Sequence, residues 1–347
     1  MVMTHSGRQR PRRTRYTAIV KTGRQLAVSL LVAALLFFAG LRAQAPAPGT
    51  DSARHVDRVQ LMRDVAMLAS PGFQGRGTGT AGGLKARAWI AEQFRAIGVV
   101  QGGTDGYMQP FTIRSRDIRN IVPGGQPLQM PLVAANVVGR LPGRDARART
   151  IVITAHYDHL GVREGVVYPG ADDNASGVAV LLAAARHFKA SSSRHQIVFA
   201  TLDAEELGLH GAKTLVASAL IPQGEVALNV NLDMVGRNTA NEIYAAGPYH
   251  TPSLTPILLN VQKRALVRIR FGHDRPTGAE NELEDWTQSS DHRVFHEAGI
   301  PFVYFGAEDH GDYHKPTDTV DRIDPRFFGN AADMIVEAIR VFDLTLP

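Results

Sequence analysis

Thr150-Ile151-Val152-Ile153-Thr154-Ala155-His156-Tyr157-Asp158-His159 is a β-branched apolar run that ends in imidazoles and a carboxylate. Pro169-Gly170-Ala171-Asp172-Asp173-Asn174-Ala175-Ser176-Gly177 follows and opens a helical stretch over Ser176–Lys189. A near-continuous apolar strand followed by a helix is the repeating unit of a sheet covered on both sides. Working outward, similar runs occupy Ala134–Val138, Gln196–Leu202, Val226–Leu232 and Phe302–Phe305, and a second long helical stretch spans Pro325–Leu344. We therefore expect a single α/β domain whose central mixed, mostly parallel β-sheet carries helices on both faces. No internal repeat and no second shift in composition marks another domain.

The chemistry stands at the ends of the strands. Gln196–Leu202 runs into Asp203-Ala204-Glu205-Glu206, Val226–Leu232 into Asp233, and Asp312-Tyr313-His314 comes after the last run. In open α/β sheets, sites form just beyond the carboxyl ends of strands. The 347 residues include no cysteine, which excludes disulfides, thiolate ligands and a cysteine nucleophile. Imidazole and carboxylate are then the ligands available to a borderline-hard divalent metal. Singly, each residue has an ordinary explanation. His156 suits a core imidazole bonded to a carbonyl, Glu205-Glu206 an acidic helix start, and Asp172-Asp173 an N-cap. Together they do not, because clustered carboxylates are costly unless a cation neutralises them.

The ordered set His156-x-Asp158, Gly170-Ala171-Asp172-Asp173-x-Ala175-Ser176-Gly177, Glu205-Glu206, Leu232-Asp233-Met234 and His314 resembles peptidase family M28, the zinc aminopeptidases. The resemblance covers roughly Phe73 to the C-terminus, and Asn136-Val137-Val138-Gly139 is similar to the family's opening strand. It implies a zinc aminopeptidase/phosphorylase-like fold and two Zn2+ per chain. His156 and Asp233 would hold one ion, Glu206 and His314 the other, with Asp173 bridging both. Asp158 would orient His156, Glu205 would be the general base, and Tyr313 would donate to the oxyanion. The Asp173–Asn174 bond would be cis. The implied reaction removes the N-terminal residue from peptides with a free N-terminus. A water clamped between the metals attacks, and Glu205 passes its proton to the leaving amine. Ser290-Asp291-His292 resembles a substrate-side segment of the family and receives no catalytic role. Pro248-Tyr249 and the Thr277–Trp286 stretch are expected to build the specificity pocket. The rival readings are a single-zinc glutaminyl cyclase of the same fold, an M20-type deacylase or carboxypeptidase, and a metal-dependent binding protein without catalysis.

Two other motifs have plainer readings. Gly77-Thr78-Gly79-Thr80-Ala81-Gly82 fits the dinucleotide fingerprint, but that fingerprint needs a preceding strand. Here a helical stretch over Asp51–Leu68, behind an Asp-Ser cap, and Ser70-Pro71-Gly72 come first. The Pro71–Gly83 loop is therefore read as a flexible entry to a helix over Leu84–Ile97. Asn174-Ala175-Ser176 matches a glycosylation sequon inside the metal motif, which makes it a coincidence of letters.

The first 45 residues differ from the rest. Seven basic residues from Arg8 to Arg24 precede an apolar run, Leu26–Leu41, and then Ala43-Gln44-Ala45. Such a leader reads as a secretory signal, and its apolar run falls short of the roughly 20 residues of a spanning helix. We expect residues 1–45 to be a signal peptide, 46–50 a linker and 51–347 the peptidase domain. The protein would be exported to the periplasm or medium, touching the membrane only through this leader. Eight of the 38 Lys and Arg lie before Pro46 and none of the 33 Asp and Glu do. The remaining chain thus carries 30 positive against 33 negative side chains, and the overall charge of +5 gives no ground for a nucleic-acid partner. Pro46 makes the Ala45–Pro46 bond a poor protease substrate, so a retained anchor is the alternative. N-terminal sequencing of exported protein should find a start between Gln44 and Pro48; an intact Met1 on membrane-bound material would identify an anchor.

Overall fold

The computed structural model of the protein describes residues 54–114, 130–278 and 283–347. The expected signal peptide and linker lie outside the described residues. In chain order the strands are β1 Val100–Gln101, β2 Met108–Ile113, β3 Leu132–Leu141, β4 Thr150–His156, β5 Val162–Arg163, β6 Val166–Val167, β7 Ile197–Leu202, β8 Val226–Leu232, β9 Glu242–Ala246, β10 Arg268–Arg270 and β11 Phe302–Gly306. The helices are α1 Arg58–Leu68, α2 Ala81–Ile97, α3 Gly177–Ser191, α4 His210–Val216, α5 Leu254–Gln262, α6 His292–Glu297 and α7 Pro325–Thr345.

Among the described residues, nine strands form one mixed sheet in the order β1-β3-β7-β4-β8-β11-β9-β10, with β2 also paired to β3. The central four strands, β7-β4-β8-β11, run parallel. Antiparallel pairs, β3 with β7 and β9 with β11, flank them on either side. Every residue of β4 and β8 is buried, because successive side chains point to opposite faces and both faces are covered. Ile151, Ile153, Phe199 and Val230 pack under α1, α2, α3, α5 and α7 in the larger core. Val152, Val198, Ala200 and Leu202 pack against α4 and α6.

Local chemistry sets the helix ends. Asp57 caps α1, its carboxylate accepting from the Val59 and Gln60 N–H groups, so the helix begins at Arg58 and not behind Asp51-Ser52. Thr80 caps α2, which therefore starts at Ala81, three residues before Leu84. The Pro71–Gly83 loop is packed tightly: a Cβ at Gly82 would collide with the Phe73 carbonyl, and Arg76 is fully buried. The expectation of a flexible entry is thus corrected. These glycines allow close backbone approach.

The topology creates the site. From β4 the chain crosses through α3 to β7 on one side. From β7 it returns through α4, past β4, to β8 on the other. Right-handed crossovers of opposite direction lie on opposite faces and leave a crevice at the carboxyl ends of the parallel strands. Phe199, in the middle of β7, is fully buried with its ring 6.5 Å from Phe94 of α2. Phe199→Ala should destabilise the protein by about 3–5 kcal/mol in urea unfolding.

Candidate metal centre

His156 ends β4, Asp233 follows β8, and Asp173 sits in the irregular turn 171–176 that enters α3. Glu205 and Glu206 follow β7, and His314 lies in the segment after β11. Several non-glycine residues of this region adopt left-handed backbone, among them Ala204 (φ 60), Met234 (φ 55) and His314 itself (φ 54). Such conformations are uncommon and concentrate where side chains must be aimed. The Asp173–Asn174 peptide is cis.

The two oxygens of Asp173 face different groups. Oδ1 lies 3.4 Å from His156 Nε2, which is 3.3 Å from Asp233 Oδ1. Oδ2 lies 3.1 Å from His314 Nε2, which is 3.4 Å from Glu206 Oε2. His159 Nδ1 approaches the same half, 2.8 Å from Glu206 Oε1 and 3.6 Å from Asp173 Oδ2. Two ligand sets result: His156, Asp173 and Asp233, and His159, Asp173 and Glu206. Within each, one ligand atom per residue lies within 4.8 Å of the others. Asp158, Asp173, Asp233 and Asp291 are all buried, and Glu206 Oε1 has no hydrogen-bond partner. Imidazole and carboxylate donors converging on a negative, desolvated centre suit a divalent metal of borderline hardness.

The adjacent glutamates differ in environment. Burial pushes the Glu205 carboxyl well above the usual carboxylate range, and Asp291, Glu206 and Asp233 add to the rise against the pull of His156. Burial also works to raise Glu206, but the imidazoles of His159 and His314 outweigh it and hold that carboxyl far below the ordinary range. Burial disfavours the His314 imidazolium, yet its contacts with Asp173 and Glu206 push it up to about 10. The Tyr313 ring stacks on His314 with centroids 3.9 Å apart. Burial, followed by Asp173 and Glu206, keeps its phenol protonated and hence able to donate.

Supporting contacts leave the ligand atoms free. His156 Nδ1 meets the Asp158 carbonyl at 3.1 Å, which fixes the ring and turns Nε2 to the centre. The Asp158 carboxylate is 3.8 Å from that nitrogen. It accepts instead from the Glu205 N–H at 3.1 Å and the Glu206 N–H at 3.3 Å. Asp158 thus meets the His156 ring with its main-chain carbonyl as well as, at longer range, its carboxylate, and holds the glutamate pair through that same carboxylate. Ser290 donates to Asp233 Oδ2 at 2.7 Å and accepts from Asn231 Nδ2 at 3.0 Å. Its neighbour Asp291 is buried with both oxygens unpartnered, and burial pushes it up to about 7. Asp318 accepts from the N–H groups of Asp172 and Asp173. Asn174 is fully buried and donates to the Leu232 carbonyl, so it is no glycan acceptor in this fold.

Arg76, inside the glycine-rich loop, is the residue whose role the sequence did not disclose. Its guanidinium donates to five carbonyls: Tyr157 at 2.8 Å, Leu68 at 3.0 Å, Pro169 at 2.6 Å, Gly170 at 2.8 Å and Asp173 at 3.4 Å. An arginine has five N–H donors, so each is used. Burial lowers it to about 10, and it stays protonated at neutral pH beneath Asp173, Asp318, Asp158 and Glu206.

A cavity of about 480 Å³ opens over the centre, with Glu205, Glu284, Trp286, Tyr304 and Asp309 in its wall. The Thr277–Trp286 stretch thus contributes Glu284 and Trp286, while residues 279–282 lie outside the described residues. Tyr249 is exposed, and its N–H is bound by Asp274 away from the cavity lining. That half of the expected specificity pocket is corrected.

Residues 136–339 match the model of peptidase family M28, and the chain belongs to that family. It is 32% identical to aminopeptidase YwaD of Bacillus subtilis over 218 residues, 59% of this chain and 44% of the relative. It is 24% identical to a probable zinc metalloprotease of Pyrenophora tritici-repentis over 275 residues, 69% of this chain and 54% of the relative. The chain thus spans about half the length of these curated relatives. In fold it is similar to BSAP, a zinc aminopeptidase from Bacillus subtilis, with TM-score 0.64 and 19% identity over 82% of this chain and 95% of that one. Porphyromonas gingivalis glutaminyl cyclase is as similar, with TM-score 0.64 and 17% identity over 83% and 99%.

Arg76→Lys keeps the charge but leaves several of the five carbonyls without a donor. It should lose about 3 kcal/mol or more in urea unfolding, and a loss below about 1 kcal/mol would show that the guanidinium does not hold the ligand turns.

Proposed function

We propose that this chain is an exported two-zinc aminopeptidase that hydrolyses the N-terminal peptide bond of peptides, with residues 1–45 acting as its signal peptide. The observation that carries the metal count is Asp173, whose two oxygens face separate ligand sets. His156 and Asp233 would hold one zinc, Glu206 and His314 the other, with Asp173 shared. Bound there, the ions would polarise the scissile carbonyl and make water acidic enough to attack near neutral pH.

The protein's own groups do the remainder. Glu205 lines the cavity beside the ligands, and its raised pKa suits a group that takes a proton and returns it to the leaving amine. Tyr313 lines the cavity and is kept protonated beside His314, which supports a role as donor to the developing oxyanion. Asp309 and Glu284 stand in the cavity wall as acceptors for a substrate's N-terminal ammonium, with Lys213 and Arg293 elsewhere in the same wall, and Trp286 offers an apolar surface for its side chain. The glutaminyl cyclase fold is equally similar, so fold does not choose between the readings. The complete His156–Asp173–Asp233 set favours two metals and hydrolysis.

Leu-p-nitroanilide turnover with and without chelator, together with zinc content, tests the reading. Two zinc per chain and chelator-sensitive hydrolysis are expected; one zinc per chain with cyclisation of N-terminal glutamine would favour the cyclase. Glu205→Gln should retain zinc and fold while kcat falls by about 10²–10⁴. Glu206→Gln should weaken one zinc, with activity partly restored by added metal. If Glu205→Gln loses zinc or keeps most of its kcat, the general-base assignment fails.

A further inference from the structure

His159 is not among the five ligands assigned above. It is 2% exposed, and neither ring nitrogen has a hydrogen-bond partner. A buried neutral imidazole has one donor and one acceptor to satisfy, and leaving both unmet is costly. Backbone at Gly170 presses against the ring, where a Cβ would collide with it, so the side chain is held in place. Its Nδ1 lies 2.8 Å from Glu206 Oε1, an atom that is itself buried and unpartnered. The two atoms stand in ion-pair contact, and together with Asp173 they bring three ligand atoms within 4.8 Å of one another, the relation expected of groups that share one cation. Asp173 Oδ2 stands 3.6 Å from the same nitrogen. The His314 ring approaches from the other side, its centroid 5.7 Å from that of His159.

From this geometry, and resting on the two-zinc reading, we infer that His159 is a sixth metal ligand and that the two positions are unequal. The position on the Glu206 side is closed by two imidazoles, His159 and His314, and two carboxylates, Asp173 and Glu206. Four N and O donors complete a tetrahedral zinc. The position on the Asp233 side has three protein ligands, His156, Asp173 and Asp233, the number that leaves a place open for water or substrate. The first position therefore holds the tighter, less exchangeable ion, and the second presents the open coordination site. A packing role for His159, or an ion pair with Glu206 alone, leaves the buried Nε2 without a partner.

The experiment reads metal binding and not turnover. Wild type and His159→Gln are titrated with zinc against a competing chelator. In parallel, cadmium-loaded wild type with isotope-labelled histidine is examined by NMR, where coupling between metal and ring nitrogen requires a bond. We expect two zinc per wild-type chain, coupling to His156, His159 and His314, and at least ~tenfold weaker binding of one zinc in His159→Gln. Two zinc with coupling to His156 and His314 alone overturns the assignment of His159 and leaves the two-zinc reading standing. One zinc per wild-type chain overturns the two-zinc reading instead, and coupling to His159 still decides whether this histidine is a ligand. The wild-type spectrum distinguishes these outcomes even if His159→Gln fails to fold.

Discussion

The carboxylates of Asp158, Asp173, Glu205, Glu206, Asp233 and Asp291 are gathered at the ends of four parallel strands, and their mutual repulsion in a desolvated space is the constraint around which the molecule is arranged. Unpaired burial of even one ionised carboxylate costs several kcal/mol. Arg76 answers part of that charge from beneath, and the imidazoles of His156, His159 and His314 answer part from within. The proposed pair of zinc ions answers the rest. The strained turns and the polar contacts around the centre follow from holding these like charges close enough for a shared cation.

Those polar contacts have a common logic. Ser290 binds the far oxygen of Asp233, Asp318 binds main-chain N–H groups at Asp172 and Asp173, and Asp158 binds those of Glu205 and Glu206. Arg76 draws the Tyr157, Pro169 and Gly170 carbonyls together below the ligand turns. In each case the support reaches backbone or a remote atom and leaves the atom facing the centre free. Ligands fixed in this way are preorganised, which is what supporting groups contribute at metal sites.

Membership of family M28 and the equal fold similarity to an aminopeptidase and a glutaminyl cyclase illustrate how little a shared architecture says about a reaction. The proposed role of His159 bears on the site directly: two imidazoles, His159 and His314, on the Glu206 side against one, His156, on the Asp233 side would make the two halves different.

The sequence by itself determined the architecture and the ligand alphabet. Near-continuous apolar runs such as Thr150–Thr154 and Val226–Leu232, the latter interrupted only by Asn229 and Asn231, suit a sheet covered on both faces, and polar residues directly after them fall at its carboxyl edge. Short edge strands were not legible in it: β10 is three residues long, and β2 contains Pro110, so neither has the length or composition to signal itself. The helix start at Arg58 depended on which acidic residue reached the free N–H groups, Asp57 or Asp51, and that is a matter of backbone geometry. Only the tertiary structure decided the partners at the centre. Arg76 looked like part of a loose glycine loop, Asp158 like a partner for the His156 ring alone, and His159 like a bystander, because their contacts cross 81, 47 and 47 residues of chain. Separations of that size are closed by strand order, and strand order is a property of the whole core, not of any local run.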